Sequence, residues 1–443
     1  MKPIKSTLLL LVLLAASSAA QDFKPIAFEE YKLSNGLTVI LHVDRTAPTA
    51  MTYMLYRVGS KDEVAGRTGF AHFFEHLMFE GSENIKRGEI DKLISSAGGL
   101  NNASTGNDRT DYFFKVPANQ LELALWIESD RMMSLAIDSI GIETQRKVVK
   151  EELKQRFEGK PFASISEHLF HQTFMGTPYE WTPIGDPEDI NRASRDEFLE
   201  FHGKYYLPNN ACLAVGGDID VKQTKKWIEH YFGSIPAGPA PPAVKFAIPE
   251  QTEPRTLKVE ESVTPLPALI ESYVTVDQRH PDAYALEFLS AALSTGRSSR
   301  LYKRLVDKDQ TAIMAGGFPF SLDMAGLFAF FVIANRGVSL DSVRDAMHQE
   351  ITRLQADGIS EQEFTKLRNT KETQFVQGLR SLDGKLSSLA YYSLFHGNTN
   401  LVNEEFGKFM SVAREDVRRV AGAYLKPQRR NTIEYVVMDQ PVK

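Results

Sequence analysis

The chain has 443 residues, 42% of them hydrophobic, a length and balance that suit a globular protein of two or three domains. A formal net charge of −6, a pI near 6.0 and the lack of any basic run argue against a nucleic-acid surface. The single cysteine, Cys212, excludes an internal disulfide and reads as a small buried hydrophobe in the apolar run Ala211-Cys212-Leu213-Ala214-Val215.

Residues 1–20 read as an export signal. Lys2 and Lys5 supply the positive start, 8–16 the apolar core, and Ser18-Ala19-Ala20 a small-residue cleavage site. That run is too short to span a bilayer, and no other stretch is long and apolar enough. The expectation is an exported, periplasmic protein with no membrane span in the mature chain. A hairpin follows over 31–43, turning at Ser34-Asn35-Gly36. Next come a strand over 51–58, a helix around His72, and a helix over 87–97 that Gly98-Gly99 ends. Strands are expected at 101–105 and 110–116. Pro117 opens a helix to about 133, and another covers 142–157. Ser194 and Glu197 have capping-box spacing ahead of a helix ending near 206. A strand over 211–216 and a helix over 221–232 complete this half.

Residues 235–256 read as a linker, beginning with the Pro-, Ala- and Gly-rich run 235–242. After it the pattern of strands and long helices starts again, and the sequence echoes itself. Arg195-Asp196-Glu197-Phe198, Gly203, Tyr205 and Pro208 match Arg414-Glu415-Asp416-Val417, Gly422, Tyr424 and Pro427, always 219 positions apart. One register with one succession of elements implies two homologous α/β domains, over 24–234 and 257–440.

The chemistry concentrates in Gly69-Phe70-Ala71-His72-Phe73-Phe74-Glu75-His76-Leu77-Met78-Phe79. On a helix, His72 and His76 lie one turn apart on one face, with Glu75 beside them. Two neutral imidazoles at that spacing can close on one zinc ion, with the carboxylate placed to work on water. Phe70, Phe73, Leu77 and Phe79 would bury the helix, and a buried His or Glu without a partner is costly. Satisfied core histidines are the plainer reading, but His-x-x-Glu-His is the inverted zinc signature and far more specific than a lone His. The second domain carries no such motif, and its matching region, around 283–293, has no histidine. A catalytic zinc usually takes a third protein ligand. Arg146-Lys147-Val148-Val149-Lys150-Glu151-Glu152 offers two adjacent carboxylates about 100° apart on a helix, and the pattern does not choose between them.

The His72-x-x-Glu75-His76 and Arg146-x-Val-Val-x-Glu-Glu152 stretches resemble the pitrilysin family of zinc metallopeptidases, which includes insulin-degrading enzyme and the mitochondrial processing peptidase. Gly98-Gly99-x-Asn-Asn102-Ala103-x-Thr105, Asp108-Arg109-Thr110-Asp111-Tyr112, Pro183-x-Gly185 and Tyr205-Tyr206-x-Pro208-Asn-Asn210 also fit, so the resemblance covers nearly the whole mature chain. It implies an α+β fold of two homologous domains, each a mainly antiparallel sheet with packed helices, forming half of a clamshell. It implies Zn2+ held by His72, His76 and Glu152, the family's third ligand lying about 76 residues past the second His. It implies Glu75 as general base, and a peptide substrate added as a strand at Asn102 and Ala103 inside a closed chamber. Two positions depart from the family. Gln145 stands where many members carry a Glu that supports the metal site, and Val306 and Ile313 stand where many carry an Arg and a Tyr that reach the substrate. The resemblance therefore implies a heterodimer in which a homologous partner supplies the Arg/Tyr pair. A non-catalytic scaffold subunit and a zinc-dependent binding protein of the same fold are the alternatives.

Overall fold

The computed structural model describes residues 24–437; the expected export signal at 1–20 lies outside the described residues. The first half contains β1 (Glu29–Lys32), β2 (Thr38–Val43), β3 (Thr49–Tyr56), α1 (Phe70–Leu77), α2 (Ile90–Ser96), β4 (Leu100–Thr105) and β5 (Thr110–Pro117). It continues with α3 (Leu121–Ser134), α4 (Ser139–Phe157), α5 (Ile165–Phe174), α6 (Pro187–Arg192), α7 (Arg195–Tyr205), β6 (Ala211–Gly217) and α8 (Val221–Phe232). The second half contains β7 (Arg255–Glu261), β8 (Ala268–Thr275), α9 (Asp282–Leu293), β9 (Ala312–Ser321), β10 (Gly326–Ala334) and α10 (Leu340–Asp357). It closes with α11 (Glu361–Gly378), α12 (Leu382–Tyr391), α13 (Leu401–Ser411), α14 (Arg414–Tyr424) and β11 (Asn431–Val437).

The two halves have one topology. The first sheet runs β1-β2-β6-β3-β5-β4 and the second β7-β11-β8-β10-β9. The pair β2–β6 and its counterpart β7–β11 are parallel, and the other pairs, including the extra β1–β2 of the first sheet, are antiparallel. The repeat read from sequence is the unit α7–β6 and its counterpart α14–β11. Ser194 Oγ accepts from Glu197 N while the Glu197 carboxylate takes Ser194 N, a closed capping box. At α14 Asp416 takes Ala413 N, but Ala413 has no side-chain oxygen to return the bond.

Several boundaries differ from expectation. Pro117 ends β5; a single tight turn at Ala118–Gln120 precedes α3. The helix expected at 87–97 starts only at Ile90, because Gly88 adopts φ +70°. The helices α5 and α6 were not foreseen. Both are short, and α5 packs on something its own sequence does not reveal.

One face of each sheet is covered by helices of its own half: α1, α3, α7 and α8 on the first, α9, α10 and α14 on the second. The opposite faces are covered reciprocally. From the first half, α5 lays Leu169, Phe170 and Phe174 on Ile270, Leu327 and Ile433 of the second sheet. From the second half, α12 lays Leu386, Leu389 and Ala390 on Ile40, Met51, Leu55, Cys212 and Ala214 of the first. Lys385 to Asp44 (2.6 Å) and Lys115 to Asp383 (3.3 Å) tie down the first turn of α12. The exchange makes the halves one cooperative body, since separating them strips a helix from each sheet. No helix among the described residues is long and apolar enough to cross a membrane.

Leu386→Ala should therefore destabilise the whole chain by about 2–5 kcal/mol, the cost of a buried Leu cavity. Chemical denaturation should show a single transition at lower denaturant; two separated transitions would mean that the halves unfold independently.

Candidate active site

The site is built on α1, whose eight residues are too few to hold a helix alone. Its N-terminus is Gly69, with φ +84° and no side chain to cap the first turn. The cap comes from Glu63, whose buried carboxylate takes Gly69 N at 2.9 Å and Ala71 N at 2.8 Å, with Trp181 Nε1 at 3.1 Å. Burial pushes the Glu63 carboxyl well above its usual range, against the pull of these three N–H donors. Negative charge at this end is also favoured by the helix dipole. Gly185 presses against the same point: a Cβ there would lie 2.3 Å from Gly69 N. Asp189 takes Thr68 N (3.0 Å) and Oγ1 (2.8 Å), fixing the approach to the helix. The apolar face of α1 packs on α7, with Phe73 stacked on Phe198 at 4.7 Å between centroids. The other face carries His72, Glu75 and His76.

On that face the imidazole Nε2 atoms of His72 and His76 lie 3.3 Å apart. Glu152 Oε2, from α4, is 3.5 Å from the first and 3.3 Å from the second. Among the described residues these three form a group whose ligand atoms all lie within 4.8 Å of one another. Burial, and next the charge of His76, push His72 down to about 3, so its imidazole is neutral at ordinary pH. Two imidazole nitrogens and a carboxylate oxygen converge on one point, and a divalent cation fits that donor set. Glu151 is exposed and takes no part. Arg146 holds α4 in this position by donating to Ile190 O (3.1 Å) and to Ala193 O.

Glu75 lies beside the cluster. Its Oε2 accepts from Thr105 Oγ1 at 2.5 Å, and burial foremost raises its pKa, opposed by that hydrogen bond. Thr105 ends β4, an edge strand whose outer side has no partner among the described residues. Ala103 and Thr105 share one face of β4, and Ala103 packs on the core that holds α1; Asn102 is exposed on the opposite face. Gln145 lies on α4, seven residues before Glu152. Its amide donates to Glu80 Oε1 at 2.5 Å, and Arg87 binds the other oxygen of Glu80. In the second domain Val306 packs against the core and Ile313 is 51% exposed on β9.

Glu63 was not foreseen, nor was the pairing of Thr105 with Glu75. The one available signal for Glu63 was that Gly69 cannot cap the helix itself, so an acid nearby in the chain should. Glu63→Ala should cost about 1–3 kcal/mol, because it strands buried donors. It should also weaken divalent-metal binding through a loosened α1. Denaturation and metal titration of the purified variant check both, and unchanged metal affinity would mean that α1 is held by its apolar face alone.

Residues 38–186 match the model described as Insulinase (Peptidase family M16), and residues 192–371 match the Peptidase M16 inactive domain. The chain is 30% identical over 427 residues to the zinc protease PqqE of Helicobacter pylori, covering 96% of each. A crystal structure of a protease from Helicobacter pylori superimposes with a TM-score of 0.88 at 29% identity, covering 93% of this chain and 100% of that one. The periplasmic protease PqqL from Escherichia coli shares the fold with a TM-score of 0.78 at 19% identity; the match covers 94% of this chain but 48% of that one. Matched in both halves and along nearly its whole length, the chain belongs to the M16 family of peptidases.

Proposed function

We propose that the chain is a zinc metalloendopeptidase that hydrolyses unfolded peptides, with His72, His76 and Glu152 as zinc ligands and Glu75 as general base. The observation that carries this is the convergence of the three ligand atoms beside a carboxylate on the same helical face. Bound there, zinc would supply Lewis-acid polarisation of a scissile carbonyl and of water. Glu75 takes the proton from water and returns it to the leaving amine. Burial, which raises its pKa, suits a group that must hold a proton briefly. An extended peptide added along β4 at Asn102 and Ala103 would lie beside Glu75, and backbone pairing of this kind is weakly sequence-specific. Export through residues 1–20 would put the activity in the periplasm.

The same proposal includes a partner. The side chains of Val306 and Ile313 carry no hydrogen-bond donor, and the loss of one donor to a developing oxyanion typically costs about 10²–10³ in rate. The Escherichia coli protease PqqL, only 48% of which this chain matches, is consistent with a working unit of two such halves. A second chain of this fold, carrying the Arg/Tyr pair and lacking His-x-x-Glu-His, would complete the site as a heterodimer and close the chamber.

His72→Ala, His76→Ala and Glu152→Gln should each abolish zinc binding, and Glu151→Gln should leave it unchanged. Glu75→Gln should keep zinc and lose hydrolysis of a quenched fluorescent peptide. Metal analysis beside the peptide assay checks all five. Zinc retained with no hydrolysis of any peptide, partner included, would favour a binding protein instead. Peptide hydrolysis by the isolated chain should rise about 10²–10³-fold when a partner with the Arg/Tyr pair is added. Full activity alone, unchanged by any such partner, would count against the heterodimer.

A further inference from the structure

The hydrogen bond from Thr105 Oγ1 is the one made to the Glu75 carboxylate among the described residues. It occupies Oε2 and leaves Oε1 to take up a proton. Thr105 stands immediately before the turn 106–109 between β4 and β5, and that turn is held from two sides. From the first domain, Ser60 N donates to Gly106 O (3.2 Å), Lys61 N to Asn107 O (2.9 Å), and Asn107 Nδ2 to Ser60 Oγ (3.2 Å). From the second domain, Asp323 N donates to Asp108 Oδ2 at 2.9 Å. Tyr179 OH donates to Asp108 Oδ1 at 2.6 Å and itself accepts from Met324 N at 3.1 Å. Asp323 and Met324 lie in the β9–β10 turn, the counterpart of the β4–β5 turn in the repeat. Asp323 is in turn gripped by Arg57 at 2.9 Å and Arg279 at 3.1 Å. The equivalent hairpins of the two domains therefore meet tip to tip through buried, paired polar groups, which resist displacement because separation would leave them unsatisfied.

We infer that Thr105 is a positioning residue for Glu75, and that Asp108 and the second-domain turn hold the hairpin that carries it. The domain without a metal site thus acts on the chemistry through one chain of contacts: Asp323 to Asp108, the turn to Thr105, Thr105 to Glu75. The inference rests on the reading of Glu75 as general base. A hydroxyl donor on one carboxylate oxygen fixes the rotamer of a side chain that must meet a reacting water within hydrogen-bond reach, where small misplacements are expensive.

The test uses the full chain, with its partner where activity needs one. Thr105→Val removes the hydroxyl and keeps the shape. It should lower kcat by about 10–100-fold with KM and zinc content unchanged. Thr105→Ser should restore most of the rate. Tyr179→Phe removes one donor from Asp108, and Asp108→Asn weakens the whole clamp. Each should lower kcat with KM unchanged, and neither should lower it further once Thr105 is Val, since all act through one contact. Crystal structures of zinc-loaded wild type and Thr105→Val should show the Glu75 carboxylate swung away in the variant. Wild-type kcat in Thr105→Val, fully additive losses, or an unmoved Glu75 would overturn the inference. If the wild type hydrolyses no peptide, the reading of Glu75 as base fails, and the carboxylate's place in the two crystal structures still decides the role of Thr105.

Discussion

The helix and the edge strand of the site both depend on one short turn, Gly59 to Glu63. At its end the Glu63 carboxylate closes the open N-terminus of α1 and so fixes the helix that carries His72, Glu75 and His76. At its start Ser60 and Lys61 donate backbone N–H groups to the β4–β5 turn that carries Thr105. Helix and edge strand are thus referred to the same five residues. The carboxylate is buried, which is costly, and three N–H donors offset that cost. Gly59 lets the turn approach: a Cβ there would lie 2.4 Å from Gly106 O.

A rigid frame matters because the ligand atoms come from distant parts of the chain. The two imidazoles are close by helical geometry alone, but Glu152 arrives on α4, whose placement Arg146 secures by donating to carbonyls at the end of α6. With His72 held neutral by burial, its ring nitrogen can bind a cation without first releasing a proton. Glu75 shares the helical face of the two histidines and is tied by its own hydrogen bond to Thr105.

The second domain repeats the sheet of the first without its chemistry. It supplies α12, which seals the far face of the first sheet, and the buried turn at Asp323 that meets Asp108. In return α5 seals the second sheet. This exchange gives a physical reason for the second copy to persist in the same chain: without it a broad apolar face of the first sheet would be exposed to water.

Local periodicity was enough to determine part of this. The His-x-x-Glu-His spacing is a statement about one helical turn, and the capping box at Ser194 and the succession α7–β6 were legible for the same reason. The 219-residue offset disclosed two domains because a repeat is visible without knowing how its copies pack. The choice of Glu152 over Glu151 was not in the pattern: which face of α4 meets α1 is set by packing, and only the resemblance supplied it beforehand. The hydrogen bond from Gln145 to Glu80 was likewise not in the pattern. Glu63, the Thr105–Glu75 contact, and the crossing of α5 and α12 were decided by the tertiary structure alone. Each joins groups that no helical or strand period relates, and such contacts exist only once the chain has folded around them.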